Sequence, residues 1–217
     1  MTHINVFNWL FGVLNYYSGY FFYQYAKLVH HTARWEYENT HHHEAVYTQP
    51  GAVILAFWHE FYLSFLAYGH YLNGKDFTCI ALGGPKGRGF RVIARLFGAS
   101  MYLTKKGDKE VNRQAVAGVV NEMRTLGKNT FIAVDGPNGP AREVKFGVSK
   151  MATEAGATIL PLKMQVSGKL RVPRWDSQII PLPFARIRVI YGEPISGNQD
   201  RPAIVEKTSI SLHALPD

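Results

Sequence analysis

The stretch AVILAFWHEFYLSFLAYGH (residues 52–70) joins two apolar runs at a single polar pair, His59-Glu60. Its first seven residues are apolar or aromatic throughout, which is typical of a strand buried on both faces. The apolar run after the pair suits a helix. In α/β folds, functional groups gather where the chain leaves the carboxyl end of a strand, and His59 stands at that position. A lone histidine is more often an ordinary polar residue, so other stretches must decide its role.

The rest of the chain repeats this alternation of short apolar runs and helix-like segments. Strands are predicted at 77–82, 100–104, 130–134, 158–166 and 185–192. Helices are predicted at 90–97, from Asp108 to Gly127, at 148–155 and from Arg201 onward. Prolines 173, 181, 183 and 194 are assigned to the connecting loops. This order predicts an α/β fold with a mixed, largely parallel central sheet flanked by helices.

Composition narrows the class of protein. The 217 residues are 47% hydrophobic and 18% charged, which indicates a globular chain. The formal net charge of +8 favours anionic partners such as lipid head groups, acyl carriers, CoA or nucleic acid. The single cysteine, Cys79, excludes an intramolecular disulfide and lies in an apolar run, so a buried inert thiol is predicted there.

The N-terminal segment is aromatic and, from Ile4 to Ala26, free of charge. Apolar residues recur at helical spacing at positions 4, 7, 11, 14, 21, 25 and 28. Two interpretations stand equally: a helix packed on the protein's own core, or a helix lying in the membrane interface. A helix that spans the bilayer is the least favoured. We expect residues 1–35 to form this segment and residues 36–217 to form the α/β domain.

Two loops could bind charged groups. GGPKGRGFR (83–91) is glycine-rich and basic, and could either cradle a phosphate with Lys86, Arg88 and Arg91 or be a flexible, solvated loop. AVDGPNGPAREVKFG (133–147) runs from a strand into a stiff turn. Its prolines and glycines favour a fixed backbone that could hold Asp135, Arg142 and Lys145 in place. His41, His42 and His43 are expected in a solvated loop, and no metal site is predicted.

Three segments in this order resemble the lysophospholipid acyltransferase superfamily, and more narrowly the branch catalogued as DUF374. They are ILAFWH (54–59), FIAVDGPNGPAREVKFGVSKMATEAGATILPL (131–162) and RWDSQIIPLPFARIRVIYGEPI (174–195). The resemblance covers roughly residues 50–196, and the DGPNGP element carries most of its specificity. It implies a glycerolipid acyltransferase-like fold with an N-terminal membrane-binding helix, in a bacterial enzyme of phospholipid and lipid metabolism.

The resemblance also implies an O-acyltransferase reaction, from acyl-CoA or acyl-carrier protein as co-substrate to a lipid hydroxyl. No bound cofactor is expected. His59 would be the general base, and Asp135 with Gly136 would match a second block that contacts the acceptor's phosphate. Further substrate-binding candidates are Arg91, Lys105, Lys106, Arg142, Lys145 and Gly147. Membrane lipids and acyl-carrier protein would be the partners, at the cytoplasmic face of the inner membrane.

The chain departs from the superfamily's pattern at two positions. Five residues after His59, where the superfamily carries an acid that orients the histidine, this sequence has Ser64. Asn138 stands where the branch commonly has a basic residue. These departures motivate an alternative, a non-catalytic lipid-binding protein of the same fold, and leave open what orients His59; Asp135 is the first candidate. Nucleic-acid binding is not expected, because the basic residues are dispersed and no recognised module is present.

Overall fold

The computed structural model describes residues 6–84 and 87–216, with side chains from residue 13 onward in the first helix. Helices and strands alternate along the chain, as the sequence pattern predicts. The helices are α1 Val6–Thr32, α2 Thr40–Tyr47, α3 Tyr62–Tyr68, α4 Gly87–Phe97, α5 Lys109–Leu126, α6 Gly147–Ala155 and α7 Arg201–Ala214. The strands are β1 Arg34–Glu38, β2 Val53–Phe57, β3 Thr78–Leu82, β4 Ser100–Thr104, β5 Thr130–Ala133, β6 Thr158–Arg171, β7 Ile179–Tyr191 and β8 Ile195–Ser196.

The central sheet has the strand order β1-β7-β6-β2-β5, with β8 added beside β6. The β1–β7, β2–β6 and β2–β5 pairs are parallel, whereas β6 pairs with β7 and with β8 in antiparallel fashion. Strands β3 and β4 form a separate parallel pair, which a parallel bridge from Phe77 to Asn129 joins to the edge near β5. The fold is therefore the mixed, largely parallel α/β sheet flanked by helices that the sequence predicts.

Strand β2 lies inside this sheet, and all five of its residues are buried. Because β2 and β5 are parallel neighbours, the segments that follow them emerge at the same edge of the sheet. The segment after β2 begins with His59, and the segment after β5 contains Asp135. The topology thus brings together two residues that lie 76 positions apart in sequence.

Two expectations about local structure are wrong, and one strand was not predicted. Pro181 and Pro183 lie inside β7 instead of in loops, next to an irregularity in the register with β6 and to Phe184, whose φ is 65°. The strand that was not predicted is β1. His41, His42 and His43 belong to helix α2, where a loop was expected. The His43 ring packs against Tyr47 of the same helix and against Tyr191 of β7.

Helix α1 buries small residues and exposes large ones. Its buried positions include Gly19, Ala26 and Val29. A Cβ placed on Gly19 would lie 2.4 Å from the carbonyl oxygen of Gly89, so α1 and α4 approach each other closely at these two glycines. Most of its exposed side chains are large and apolar or aromatic: Leu14, Tyr16, Tyr17, Tyr20, Phe21, Phe22 and Leu28. Among the described residues at the predicted helical spacing, Leu14, Phe21 and Leu28 are exposed, whereas Tyr25 packs against the core.

Candidate active site

His59 lies two residues after β2, in a short 3-10 turn that leads into α3. Its backbone N–H donates a hydrogen bond to Oδ1 of Asp135, with 2.9 Å between the two atoms. Since Asp135 is itself buried at the end of β5, this bond fixes the start of the turn against the neighbouring strand. The backbone that carries the imidazole is therefore held from the sheet.

The imidazole is oriented by Asp176, which lies in the loop between β6 and β7. Nδ1 of His59 and Oδ2 of Asp176 are 2.7 Å apart. The Asp176 side chain is fully buried, and that of His59 is 17% exposed. A carboxylate at Nδ1 accepts a hydrogen bond from Nδ1–H and leaves the lone pair of Nε2 available as a base. The arrangement is a histidine–aspartate dyad whose histidine reaches solvent and whose aspartate does not.

Two aromatic side chains flank the imidazole. The ring of Tyr62 stacks on that of His59 with 5.7 Å between the centroids, and Trp175 lies 5.1 Å away in a tilted arrangement. Trp175 also packs tightly on the DGPNGP turn, because a Cβ on Gly139 would lie 2.6 Å from its ring. The loop that carries Asp176 and the loop that carries Asp135 are thus packed together beside His59.

Asp135 accepts hydrogen bonds from the backbone of two residues, His59 and Arg142. Besides the bond to His59, its Oδ2 accepts a hydrogen bond from the backbone N–H of Arg142 at 3.1 Å. Burial raises the pKa of the Asp135 carboxyl, and the hydrogen bonds from Arg142 and His59 oppose that rise. The turn from Asp135 to Arg142 has a left-handed backbone at Gly136, Gly139 and Arg142, with φ values of 70°, 68° and 58°. The Asp135 carboxylate joins the two ends of this turn through its hydrogen bond from Arg142.

The expectation that Asp135 orients the imidazole is corrected by this geometry. Asp135 binds the backbone of His59, and Asp176 binds its ring. The acid that contacts the ring is therefore Asp176, which lies 117 positions after His59 in the sequence, and not a residue at position 64. Ser64 itself is fully buried in α3, and its hydroxyl has no hydrogen-bond partner within the described ranges.

A buried carboxylate and two arginines lie behind the dyad. Glu60 is 5% exposed. Its Oε1 accepts a hydrogen bond from Nε of Arg142 at 2.9 Å, and its Oε2 accepts one from a terminal nitrogen of Arg171 at 3.5 Å. Arg171 also approaches the carbonyl oxygen of Ser177 at 3.4 Å. The cluster ties the DGPNGP turn to the loop of Asp176. Together with Asp135 and Asp176 it encloses a cavity of about 160 Å³.

An apolar cavity lies on the other side of Tyr62. Its lining comes from α3, α4 and the strands β3, β4 and β5: Tyr62, Phe65, Leu66, Gly69, Leu72, Gly74, Phe77, Cys79, Phe90, Ile93, Ala94, Phe97, Ala99, Met101 and Phe131. Its volume of about 40 Å³ is small beside the roughly 150 Å³ that encloses a benzene molecule. Cys79 is buried in this wall, and burial raises the pKa of its thiol to about 12, as an inert cysteine requires.

Lys145 lies beside the turn, because its backbone N–H donates to the carbonyl oxygen of Val134 at 2.8 Å, but its ammonium group forms an ion pair with Glu143, with 3.0 Å between Nζ and Oε1. The remaining predicted residues that the structure describes are not in contact with the dyad, and Gly147 begins α6. Lys105 pairs with Asp108 at the surface, and Lys106 is exposed. Arg91 is exposed on α4. The prediction for Lys86 falls outside the described residues. Of the predicted set, the geometry brings His59, Asp135, Gly136 and Arg142 together.

Three residues of this cluster escaped the sequence analysis: Asp176, Arg171 and Glu60. Adjacent residues on a helix do not face each other, and Glu60 pairs with Arg142 and Arg171 instead of with His59. Asp176 had one available signal, since it is the only acidic residue between Thr158 and Gly192. Arg171 had none, because its role depends on the length of β6.

Comparisons with known proteins add one relative. No protein-family model matches the chain. A protein of Rickettsia prowazekii (strain Madrid E), described only as uncharacterized, is 25% identical over 179 residues, which cover 80% of this chain and 78% of the relative. The similarity shows that a related chain of matching extent exists in a bacterium. It assigns no activity to either protein.

Proposed function

We propose that the protein is an acyltransferase that moves an acyl group from a thioester donor to a hydroxyl group of a lipid acceptor. The observation that carries the proposal is the dyad of His59 and Asp176, with 2.7 Å between Nδ1 and Oδ2 at the carboxyl edge of the sheet. The alternative of a non-catalytic protein of this fold is motivated by Ser64 and by Asn138. Asp176 lies against the imidazole from another loop, which weakens the argument from Ser64 and leaves the one from Asn138.

The dyad supports a simple sequence of steps. Nε2 of His59 removes the proton of the acceptor hydroxyl while its oxygen attacks the thioester carbonyl carbon. Asp176 stabilises the imidazolium that forms and keeps the ring in place. The carbon–sulfur bond then breaks, the thiolate takes the proton back from Nε2, and an ester and a free thiol are released. The histidine returns to its starting state, so no other group is consumed.

The apolar cavity beside Tyr62 is the candidate place for the acyl chain. Tyr62 belongs both to its wall and to the stack on His59, so a chain bound there would end close to the imidazole. A cavity of about 40 Å³ does not hold an acyl chain, so α3 and α4 must separate when one enters. Because α4 touches α1 at Gly89 and Gly19, such a movement would involve α1 as well.

The exposed face of α1 supports association with a membrane surface. Tyrosine, phenylalanine and leucine side chains dominate that face, and aromatic residues settle at the depth of lipid head groups. Phe184 on β7 is 81% exposed, and its backbone N–H donates to Thr32 at the end of α1, so it extends the same surface. No helix in the described part of the chain is long and apolar enough to cross a bilayer. We therefore propose peripheral binding, at the cytoplasmic face of the inner membrane.

A direct test measures acyl transfer by the purified full chain. Radiolabelled acyl-CoA and acyl-carrier protein are each offered with a bacterial lipid extract, and labelled products are resolved by mass spectrometry. We expect His59→Ala to lower the rate by at least about 10³-fold, because the base is lost. The control is His213→Ala, which removes an exposed histidine of α7 and leaves the dyad intact.

The outcome that contradicts the proposal is specific. If His59→Ala and the wild-type protein transfer acyl groups at the same rate, the base is another residue. If neither donor yields a labelled lipid with the wild-type protein, acyl transfer itself is wrong. Circular dichroism of the variant separates loss of the base from loss of the fold.

A further inference from the structure

A wide basic groove lies on the face of strands β6 and β7, behind the Glu60–arginine cluster. Its volume is about 530 Å³. The residues that line it are Phe61, Arg142, Lys163, Met164, Gln165, Val166, Ser167, Lys169, Arg171, Ile179, Arg186 and Arg188. Six of these described residues are cations, and none is a carboxylate. The proposed acyl transfer assigns no role to this surface.

The strand register places the cations side by side. Arg188 is paired with Gln165, and Arg186 with Ser167, across the β6–β7 ladder. Side chains of neighbouring strands at paired positions lie on one face of the sheet. The register with β7 shifts between Ser167 and Lys169, and beyond this shift Lys169 and Arg171 line the same groove. The basic residues of the groove therefore extend from β7 to the end of β6, where Arg171 also lines the cavity beside Asp176.

Nearby carboxylates balance only part of this charge. Glu36 on β1 is shared by Arg34, Arg186 and Arg188 at 3.4 to 3.6 Å. Glu38 also binds Arg188, and Glu60 serves both Arg142 and Arg171. Lys169 forms no ion pair with a carboxylate among residues 6–84 and 87–216. Three glutamates thus face the six cations of the groove, and the groove keeps a positive potential.

We propose that this groove binds the phosphate groups of a substrate. Its volume lies in the range of small-molecule sites, which is about 300–1,000 Å³. Clustered arginines suit phosphate because their planar guanidinium groups donate paired hydrogen bonds to its oxygens. The shared ligand chemistry is an organic phosphate, carried by the nucleotide part of a CoA donor or by the head group of a phospholipid acceptor.

The assignment to a substrate rests on the proposed acyl transfer, whereas the binding of phosphate does not. Arg142 and Arg171 belong both to the groove and to the cavity that Asp135 and Asp176 line, so the groove adjoins the cavity beside the dyad. The apolar cavity is lined by other residues, among them Tyr62. The site thus separates a surface for charge from a surface for the acyl chain.

The test is calorimetric titration of the full chain with soluble probes. Adenosine 3′,5′-bisphosphate represents a CoA donor and glycerol 3-phosphate represents a lipid acceptor, while adenosine and glycerol are the unphosphorylated controls. We expect one phosphorylated probe to bind at least tenfold more tightly than its control, and to weaken as salt is raised. The probe that binds identifies the substrate whose phosphate the groove takes.

Lys169→Glu is the informative variant, because its side chain is exposed and lies in the groove. Lys109→Glu on α5 changes the net charge equally at a distant exposed position. We expect Lys169→Glu to weaken binding at least tenfold, Lys169→Arg to keep it, and Lys109→Glu to leave it unchanged. His59→Ala should bind normally, which separates this result from the test of catalysis.

Three results would overturn the proposal. In the first, neither phosphorylated probe binds better than its control. In the second, Lys109→Glu weakens binding as much as Lys169→Glu does, so that only net charge matters. In the third, Lys169→Glu weakens binding to anionic phosphatidylglycerol vesicles while the soluble probes bind equally well to both proteins. The basic face would then contact a membrane surface instead of a small phosphate.

Discussion

Asp135 and Asp176 are two buried aspartates that both contact His59, and they do so in different ways. Asp135 accepts hydrogen bonds from two backbone N–H groups, those of His59 and Arg142. Asp176 contacts the imidazole ring, and its second oxygen has no hydrogen-bond partner within the described structure. Asp135 therefore holds the backbone on both sides of the turn, whereas Asp176 holds the imidazole ring.

Contact with His59 therefore does not by itself define what an aspartate does. Removal of a backbone acceptor orphans buried N–H groups, which costs stability. Removal of a carboxylate from a histidine ring changes the tautomer and orientation of that ring, which costs rate. The two aspartates should consequently fail in separable ways.

The largest expected effect is on turnover, in Asp176→Asn. An amide at Nδ1 no longer stabilises the imidazolium and can select the wrong tautomer, so we expect kcat to fall by about 10²- to 10⁴-fold. The free energy of unfolding should change by less than about 1 kcal/mol, because the amide has the shape of the carboxylate, can still bond the imidazole, and loses only an ion pair at 3.7 Å to Arg174, whose side chain is 50% exposed. Steady-state kinetics and urea denaturation measure the two quantities.

The matched control for that variant is Asp76→Asn, an exposed aspartate in the 3-10 turn before β3. It should keep wild-type kcat. If Asp176→Asn also keeps wild-type kcat, Asp176 is a structural residue and the contrast between the two aspartates disappears.

Asp135→Ala should cost stability. The backbone N–H groups of His59 and Arg142, both in part-buried hydrogen bonds, lose their acceptor, so we expect the free energy of unfolding to fall by about 2–4 kcal/mol. Asp135→Asn should lose about half as much, since its carbonyl oxygen can replace one of the two acceptors while its NH₂ group cannot. Chemical denaturation of both variants checks this order. Equal losses in the two variants would show that the bonds to His59 and Arg142 do not set the stability of the turn.

Glu60→Gln should have a smaller effect. The arginines that it binds have side chains 40% and 50% exposed, so solvent can screen their charges when the carboxylate is lost. We expect about 1 kcal/mol of destabilisation and a modest rise in mobility of the loop between β6 and β7, measured by hydrogen exchange. Glu143→Gln, at an exposed ion pair with Lys145, is the control. A loss as large as that of Asp135→Ala would make Glu60 the principal support of the site.

The smallest expected effect is on the pH dependence of stability. Burial raises the pKa of Asp135 above its ordinary value of 3.8, so the folded state holds this proton more tightly than the unfolded state does. The contribution of Asp135 to stability is then fully present below pH 3.8 and is lost as pH rises through the folded-state pKa. Asp135→Asn lacks this proton. The difference in unfolding free energy, wild type minus Asp135→Asn, should therefore decrease as pH rises from about 3 to neutrality, in a denaturation series across that range; a flat difference would refute the shift.

Sequence patterns predicted much of the framework because local periodicity reports burial. The strand that ends at Phe57, the cap at Asp108 and the helix stops at Gly127 and Gly156 all lie where expected. Each of these depends on residues close together in the chain. The strand predicted at 185–192 is the second part of β7. Its first part was not predicted, since Pro181 and Pro183 are poor strand residues that the pairing with β6 nevertheless accommodates.

The local patterns of the sequence are enough to predict the α/β alternation, the position of His59 at the end of a buried strand, and the stiff turn after Asp135. Only the tertiary structure decided which acid meets the imidazole, because Asp176 is separated from His59 by 117 positions and arrives there through the β6–β7 hairpin. The same holds for the exposed aromatic face of α1 and for the basic groove. Local patterns show which side chains prefer burial, whereas contacts between distant segments depend on how the sheet is assembled.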